Sequence, residues 1–484
     1  MVFETALLIG GAWVAAQDGK TYERLDPVNS LPVTRAAAAS VKDAVAAANA
    51  AAAAFGDWSC TSAEERRRVL ERAADLLRQR QPEFAAAMAD EIGAADSWVQ
   101  FNCELASAML RDAATLTDWL TETRLPSARE GVTALAIRQP AGVVLGIAPW
   151  NAPVVLGVRA LAAPLACGNT VVLKASELCP KTHALIAEVL VEAGIPPGTV
   201  NLVSNAPENA PEIVEALVAH EAVRRVNFTG STRVGRIIGS LCAHYIKPSL
   251  LELSGKAPML VLDDADIDEA VKAAAFGAFF NQGQICISTE RIVVDQRVAD
   301  EFLEKFTARA ATLVAGDPRS NRYPLGSLIS REAAQRISAL IEDAVEKGAR
   351  LVAGGGSDNT LMPATVLDGV TSSMRIYREE SFGPVAAVVR VAGVEEAIAV
   401  ANDTEFGLVA AVFGKDVERA LHVARRIESG ICHINASTVY DEPQMPFGGI
   451  KASGYGRFGG EAGVNEFTDL RWVSIHQGKH NYPI

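Results

Sequence analysis

Apolar positions near the start of this chain recur at helical spacing. Further on they gather into short runs that alternate with helical stretches. Residues 40 to 55, "SVKDAVAAANAAAAAF", predict a helix with Ser40 as N-cap, Asp43 three residues on, and a stop at Gly56. "SAEERRRVLERAADLLRQRQ" repeats the pattern, with Ser62 and Glu65 in capping-box positions. The runs "GVVLGIA", "TVVLK", "TVNLV" and "RVNFTG" then alternate with "THALIAEVLVEAG" and "APEIVEALVAHE", which predicts βαβ units and a parallel sheet. A second α/β series, from "RIVVD" to "GVEEAIAVAND", follows residue 286. Two such series predict an α/β protein with two Rossmann-like domains and a site in the crevice between them. The alternating stretches "GVTALAIRQ" (131–139) and "EFTDLRWVSI" (466–475) read as strands outside both series.

Composition narrows the function classes. The chain has 484 residues, enough for two or three domains, with nearly half of them hydrophobic. A net charge of −13 and no Lys/Arg-rich run argue against a nucleic-acid surface. Seven scattered cysteines without CxxC pairs fit reduced thiols and a cytoplasmic location. The N-terminus has no basic n-region, so no signal peptide is expected. The apolar stretch 142–168 is interrupted by Pro149, Pro153 and Pro164 and carries Asn151 and Arg159, so a buried strand entering a buried helix is expected, not a membrane span. His476 and His480 are four apart but flank Gly478 in a tail, and no metal site is expected there.

Five stretches carry candidate chemistry. In "NQGQICIS", Cys286 lies between Ile285 and Ile287. Taken alone, such a cysteine is more often inert and buried, but the amides and glycine before it bring N–H donors that favour a thiolate and an oxyanion. Glu252 in "LELSGKAP" sits between leucines at a strand end, a setting that raises a carboxyl towards general-base range; the plain alternative is an arginine-paired carboxylate. Asn151 in "APWN" either aims its amide at a developing oxyanion or is a turn residue. In "VNFTGSTRVG", Gly230 and Ser231 open a helix able to cradle phosphate, though the spacing is not GxGxxG. "VVLKASE" adds Lys174 and Glu177, either a surface ion pair or a grip on ribose hydroxyls. A carboxylate there disfavours a 2′-phosphate.

The order of "APWN", "VVLKASE", "FTGSTRVG", "LELSGKAP", "NQGQIC", "EESFGPV", "NDTEFGL" and "PFGGIKASGYGR" resembles the aldehyde dehydrogenase superfamily, from residue 148 to 457. The segment "NAPVVLGVRALAAPLACGNTVVLKASE" is most similar to bacterial aromatic-aldehyde dehydrogenases of the vanillin, salicylaldehyde and benzaldehyde type. The resemblance implies Cys286 as nucleophile, Asn151 and the Cys286 N–H as oxyanion donors, and Glu252 as the base that hydrolyses a thioester. It implies NAD, with NADP possible, held by Trp150, Lys174, Glu177, Gly230, Ser231, Glu380 and Phe382. Glu252 argues against transfer to coenzyme A, because acylating members generally lack that carboxylate. Two residues depart from the pattern: Ala160, where many relatives have lysine, and Ser254, where glycine is common.

Arg159, eight residues after Asn151, falls on the tunnel side of its helix by resemblance. It suits a phenolate or hydroxyl on an aromatic ring, a carboxylate as in succinate-semialdehyde dehydrogenases, or a structural ion pair. Ala152 and Leu156 leave room for a flat ring, Phe279, Ile285 and Ile287 give apolar walls, and Tyr440 falls in the substrate-loop region. An aromatic aldehyde is therefore expected, with a semialdehyde or other aliphatic aldehyde as the alternative. A non-catalytic binding or structural protein on this fold is more remote. The expected division is 1–118 with 141–253 for cofactor binding, 254–465 for catalysis, and 119–140 with 466–484 for assembly as a homodimer or dimer of dimers, with no membrane or nucleic-acid partner.

Overall fold

The structure is a computed structural model that describes residues 2–320, 322–478, 482 and 484. Ser40 caps the helix Val41–Cys60 reciprocally with Asp43, as the sequence predicts. The helix does not stop at Gly56. Trp58, two residues later, is buried and donates its indole N–H to the Leu165 carbonyl (3.3 Å), so tertiary packing carries the helix past a permissive residue. Ser62 caps Ala63–Gln79, but Glu65 spends its carboxylate on Arg68, leaving half of the predicted capping box.

The apolar stretch at 142–168 divides into the strand Val143–Ile147 and the helix Pro153–Ala166. No helix among the described residues is long and apolar enough to cross a membrane. Val143–Ile147 is the centre of an eight-stranded sheet. On one side of it run Thr170–Lys174 and Val200–Val203, and on the other Val223–Thr229 and Ser249–Glu252, all parallel. The chain therefore reverses its direction of winding between Val143–Ile147 and Val223–Thr229. In open α/β sheets ligands bind just beyond the strand ends at such a point. Asn151 follows one of these strands and Ser231 the other.

A second sheet of seven strands, mostly parallel, contains Ala257–Val261 and Thr289–Asp295 at its centre. Ala257–Val261 reads as a continuous apolar run, while Thr289–Asp295 is buried throughout although it carries Glu290, Arg291 and Asp295, because apolar clusters pack on both faces of the sheet. The two stretches expected outside both series do form a separate sheet. Val132–Pro140 pairs antiparallel with Thr468–His476 from end to end, and Glu122–Leu125 adds a third strand.

Candidate active site

Cys286 follows a helix, Ile267–Phe279, that breaks into a turn with three consecutive left-handed residues, Asn281, Gln282 and Gly283. A side chain at Gly283 would place its Cβ 2.1 Å from the Gly383 carbonyl, so glycine is required both by conformation and by space. The amides before the thiol frame this turn. Gln282 accepts from the Gly326 N–H (2.9 Å), Gln284 accepts from the Ile329 N–H (3.0 Å), and both donate to the Ser327 carbonyl. Asn281 donates to the Asn151 carbonyl (3.2 Å). Asn151 in turn donates its side-chain amide to the Gln284 carbonyl (3.1 Å), two residues from the thiol. Trp98 fixes Asn151 from behind, its indole N–H donating to the Asn151 carbonyl (2.8 Å).

Glu252 ends its strand beside this turn. The Gly230 N–H donates to the Glu252 carbonyl (3.0 Å), which ties the opening of the phosphate-cradling helix to the carboxylate strand. Gly255, three residues on, lies so close that a Cβ would stand 2.5 Å from the Cys286 carbonyl. Neither carboxyl oxygen of Glu252 has a hydrogen-bond partner among the described residues. Burial raises its pKa to about 7, with Arg159 pulling the other way. The Cys286 thiol is also pushed up, by burial first and by the Glu252 charge next, with Arg159 opposing. Nearby donors are expected to favour a thiolate, but here desolvation and the neighbouring carboxylate push the thiol pKa the other way.

A cavity of about 270 Å³ joins these groups to the expected cofactor residues. Trp150, Gly230, Ser231, Glu380 and Phe382 line it together with Asn151, Glu252 and Cys286. Ser231 caps the helix Thr232–His244, so the helix N-terminus opens onto the cavity. Glu380 accepts from the Gly255 N–H (3.0 Å), and burial lifts its carboxyl to about 7. Phe382 is left-handed and meets the Trp150 ring edge-on at 5.8 Å. Lys174, the last residue of its strand, forms an ion pair with Glu177 just beyond it, and Asn205 donates to the same Glu177 oxygen (3.1 Å). A helix N-terminus that opens onto the cavity beside the Trp150 and Phe382 rings suits a phosphate-bearing dinucleotide.

Some supporting residues escaped sequence reasoning. Lys256 and Glu290 form a fully buried ion pair (2.6 Å), and Glu290 also accepts from the N–H groups of Ser381 and Phe382. Asn205 was likewise missed. Nothing local marks any of the three, since their partners are distant in sequence or sit in unremarkable turns. The two departures also acquire surroundings. Ala160 is buried against Gly146, whose Cβ would meet it at 3.0 Å, leaving no room for a lysine stem on that side. Ser254 lowers the Glu380 pKa through its hydroxyl, against the effect of burial.

Ala152, Leu156, Ile285 and Ile287 are buried in one apolar cluster, against which Cys286 and Trp150 pack. Trp98, Phe447 and Phe458 belong to the same cluster, and Phe279 belongs to a neighbouring one. Arg159 donates to Asp441. Tyr440 is not brought into the cluster: it is half exposed, and its hydroxyl donates to Glu442 (2.5 Å). His480 lies outside the described residues, and no group of metal-ligating side chains occurs among them.

The model of the aldehyde dehydrogenase family matches residues 13–473. The chain belongs to that family. It is an oxidoreductase acting on aldehydes, with the nicotinamide dinucleotide use general to the family. This aldehyde dehydrogenase is 59% identical over 483 residues to a vanillin dehydrogenase of Pseudomonas sp. (strain HR199 / DSM 7063), covering 100% of both chains. A solved structure of a salicylaldehyde dehydrogenase from Pseudomonas putida G7, complexed with salicylaldehyde, superposes with a TM-score of 0.97 at 47% identity over 100% of both chains. A succinate-semialdehyde dehydrogenase from Burkholderia pseudomallei superposes with a TM-score of 0.94 at 32% identity over 98% of both chains.

Proposed function

We propose that this aldehyde dehydrogenase oxidises aromatic aldehydes of the vanillin, salicylaldehyde or benzaldehyde type to their acids, using NAD. The observation that carries the reading is the full-length identity with a vanillin dehydrogenase. The apolar walls beside Cys286 support it, because a flat ring gains by leaving water for such a surface.

In this reading Cys286 Sγ adds to the aldehyde carbon while Glu252, or water, takes the thiol proton. The resulting oxyanion is held by the Asn151 side-chain N–H and the Cys286 backbone N–H. When bound, the dinucleotide supplies the hydride acceptor that turns this thiohemiacetal into a thioester. Glu252 then removes a proton from the water that cleaves the thioester, releasing the acid and restoring the thiol. Lys174 and Glu177 would hold the adenosine ribose of the bound cofactor. The Glu177 charge disfavours a 2′-phosphate, which gives the preference for NAD. Residues 1–118 and 141–253 form the cofactor part, 254–465 the catalytic part, and 119–140 with 466–484 the assembly element.

The semialdehyde reading needs a free cation for the substrate carboxylate. Arg159, the residue that motivated it, already carries Asp441 as a buried partner. Measuring kcat/KM for vanillin, salicylaldehyde, benzaldehyde and succinate semialdehyde tests the choice. The aromatic aldehydes are expected to lead by about a hundredfold or more; a lead for the semialdehyde would reverse the assignment.

A further inference from the structure

We propose that Asp441 sets the substrate class by neutralising Arg159, so that the pocket beside Cys286 accepts uncharged aromatic aldehydes and turns away aldehydes bearing a carboxylate. The inference rests on the aromatic-aldehyde reading and deepens it. Arg159 stands on the helix Pro153–Ala166, close to one turn beyond Leu156 in the apolar wall. One of its guanidinium nitrogens donates to Asp441, and the two side chains are only 6% and 7% exposed. The guanidinium lies 4.2 Å over the Phe447 ring and 5.8 Å from that of Phe458. Flanked in this way, the pair has little freedom to part.

An unpaired guanidinium in so apolar a place would capture anions strongly. The pairing with Asp441 removes that pull. A substrate carboxylate would have to displace Asp441 or place a second anion on one cation, with like charges a few ångströms apart. A hydroxyl on an aromatic ring meets no such obstacle. Guanidinium carries five N–H groups, so a neutral acceptor can be served beside the aspartate. The two charges also reach the chemistry: Arg159 acts on Glu252 and Cys286, and Asp441 acts on Glu252 with the opposite sign.

The test is the ratio of kcat/KM for 4-carboxybenzaldehyde to that for benzaldehyde, probes that differ only by the carboxylate. Asp441→Asn leaves Arg159 unpaired and should raise the ratio by about tenfold or more, chiefly through a lower KM for the acid-bearing aldehyde. Asp441→Glu restores the partner and should return the ratio to near the wild-type value. The double variant Arg159→Leu/Asp441→Asn replaces a buried ion pair by neutral groups, a change proteins often tolerate, and it keeps the question decidable should Asp441→Asn misfold. Its ratio should stay within about threefold of wild type, because the pair it removes was already neutral. A tenfold fall in the double variant, or an unchanged ratio in folded Asp441→Asn, would overturn the inference while leaving the aromatic reading intact. Wild-type enzyme that oxidises succinate semialdehyde but not benzaldehyde would overturn both.

Discussion

Burial holds the Glu252 carboxyl at about 7, so near neutral pH it is divided between acid and base forms. The sign of the consequence follows. Only the ionised form can take a proton from water, so thioester hydrolysis should speed up as pH rises through about 7 and level off above it. A kcat profile between about pH 5.5 and 8.5, taken where deacylation limits turnover, should show that single ascending limb; a flat profile counts against Glu252 as the base. Among the described residues only the neighbouring Cys286 thiol interacts directly with this carboxyl group, so an amide of the same shape leaves the surroundings little disturbed. Glu252→Gln should therefore release a burst of NADH of about one equivalent per site and then stall, with steady-state turnover down by about 10²–10⁴-fold. Cys286→Ala should show neither burst nor turnover. Rapid-mixing absorbance at 340 nm separates the two variants, and full steady-state activity in either would remove the mechanism.

Single side chains act here only because loops are pinned from behind. Lys256 is fully buried against Glu290, and Glu290 grips the N–H groups of Ser381 and Phe382 in the segment that also carries Glu380. Removing the cation leaves an uncompensated buried carboxylate, which costs about 3–5 kcal/mol. Lys256→Met should accordingly lower the denaturation midpoint and raise KM for NAD more than it lowers kcat, as urea titration and steady-state kinetics can check. The same elements show where the sequence was informative. Capping at Ser40 and Ser62, the alternation of strand and helix, and Glu252 at a strand end are local features, written in residues that touch their near neighbours. The Lys256–Glu290 pair spans 34 positions and the Arg159–Asp441 pair 282, so no spacing rule reaches them. Gly56 misled for a related reason. A glycine suggests a helix end, but the burial of Trp58 against Leu165, set by the tertiary fold, overrode it. The side chains of Gln282 and Gln284, in the stretch read as bringing N–H donors close to the thiol, hold the backbone at 326–329 in place.

At the scale of the whole molecule, the outlying sheet is joined to the site by the strand Val223–Thr229, which leads to Ser231. Arg225 on that strand pairs with Asp469 and donates to the Glu466 carbonyl (3.2 Å), while Arg138 donates to Thr468 (2.9 Å). The C-terminal strand Thr468–His476 pairs with Val132–Pro140 along one edge, and among the described residues no strand covers the other. Leu470 and Trp472, two apart and so on one face, are 66% and 75% exposed. An open edge beside exposed apolar side chains favours pairing with a second copy, since both the backbone groups and the apolar area gain partners. A homodimer, or a dimer of dimers, closed through this strand is the expected assembly. Burying side chains of this size is worth about 1.5–3 kcal/mol each, and a buried charge in their place would cost more. Trp472→Glu should therefore weaken the dimer by about a hundredfold or more in sedimentation velocity. An assembly unchanged by that substitution would place the interface elsewhere. Because Arg225 ties the strand to the cofactor sheet, the dissociated variant should also bind NAD less tightly, whereas loss of the dimer with full NAD affinity would show that assembly and site are independent.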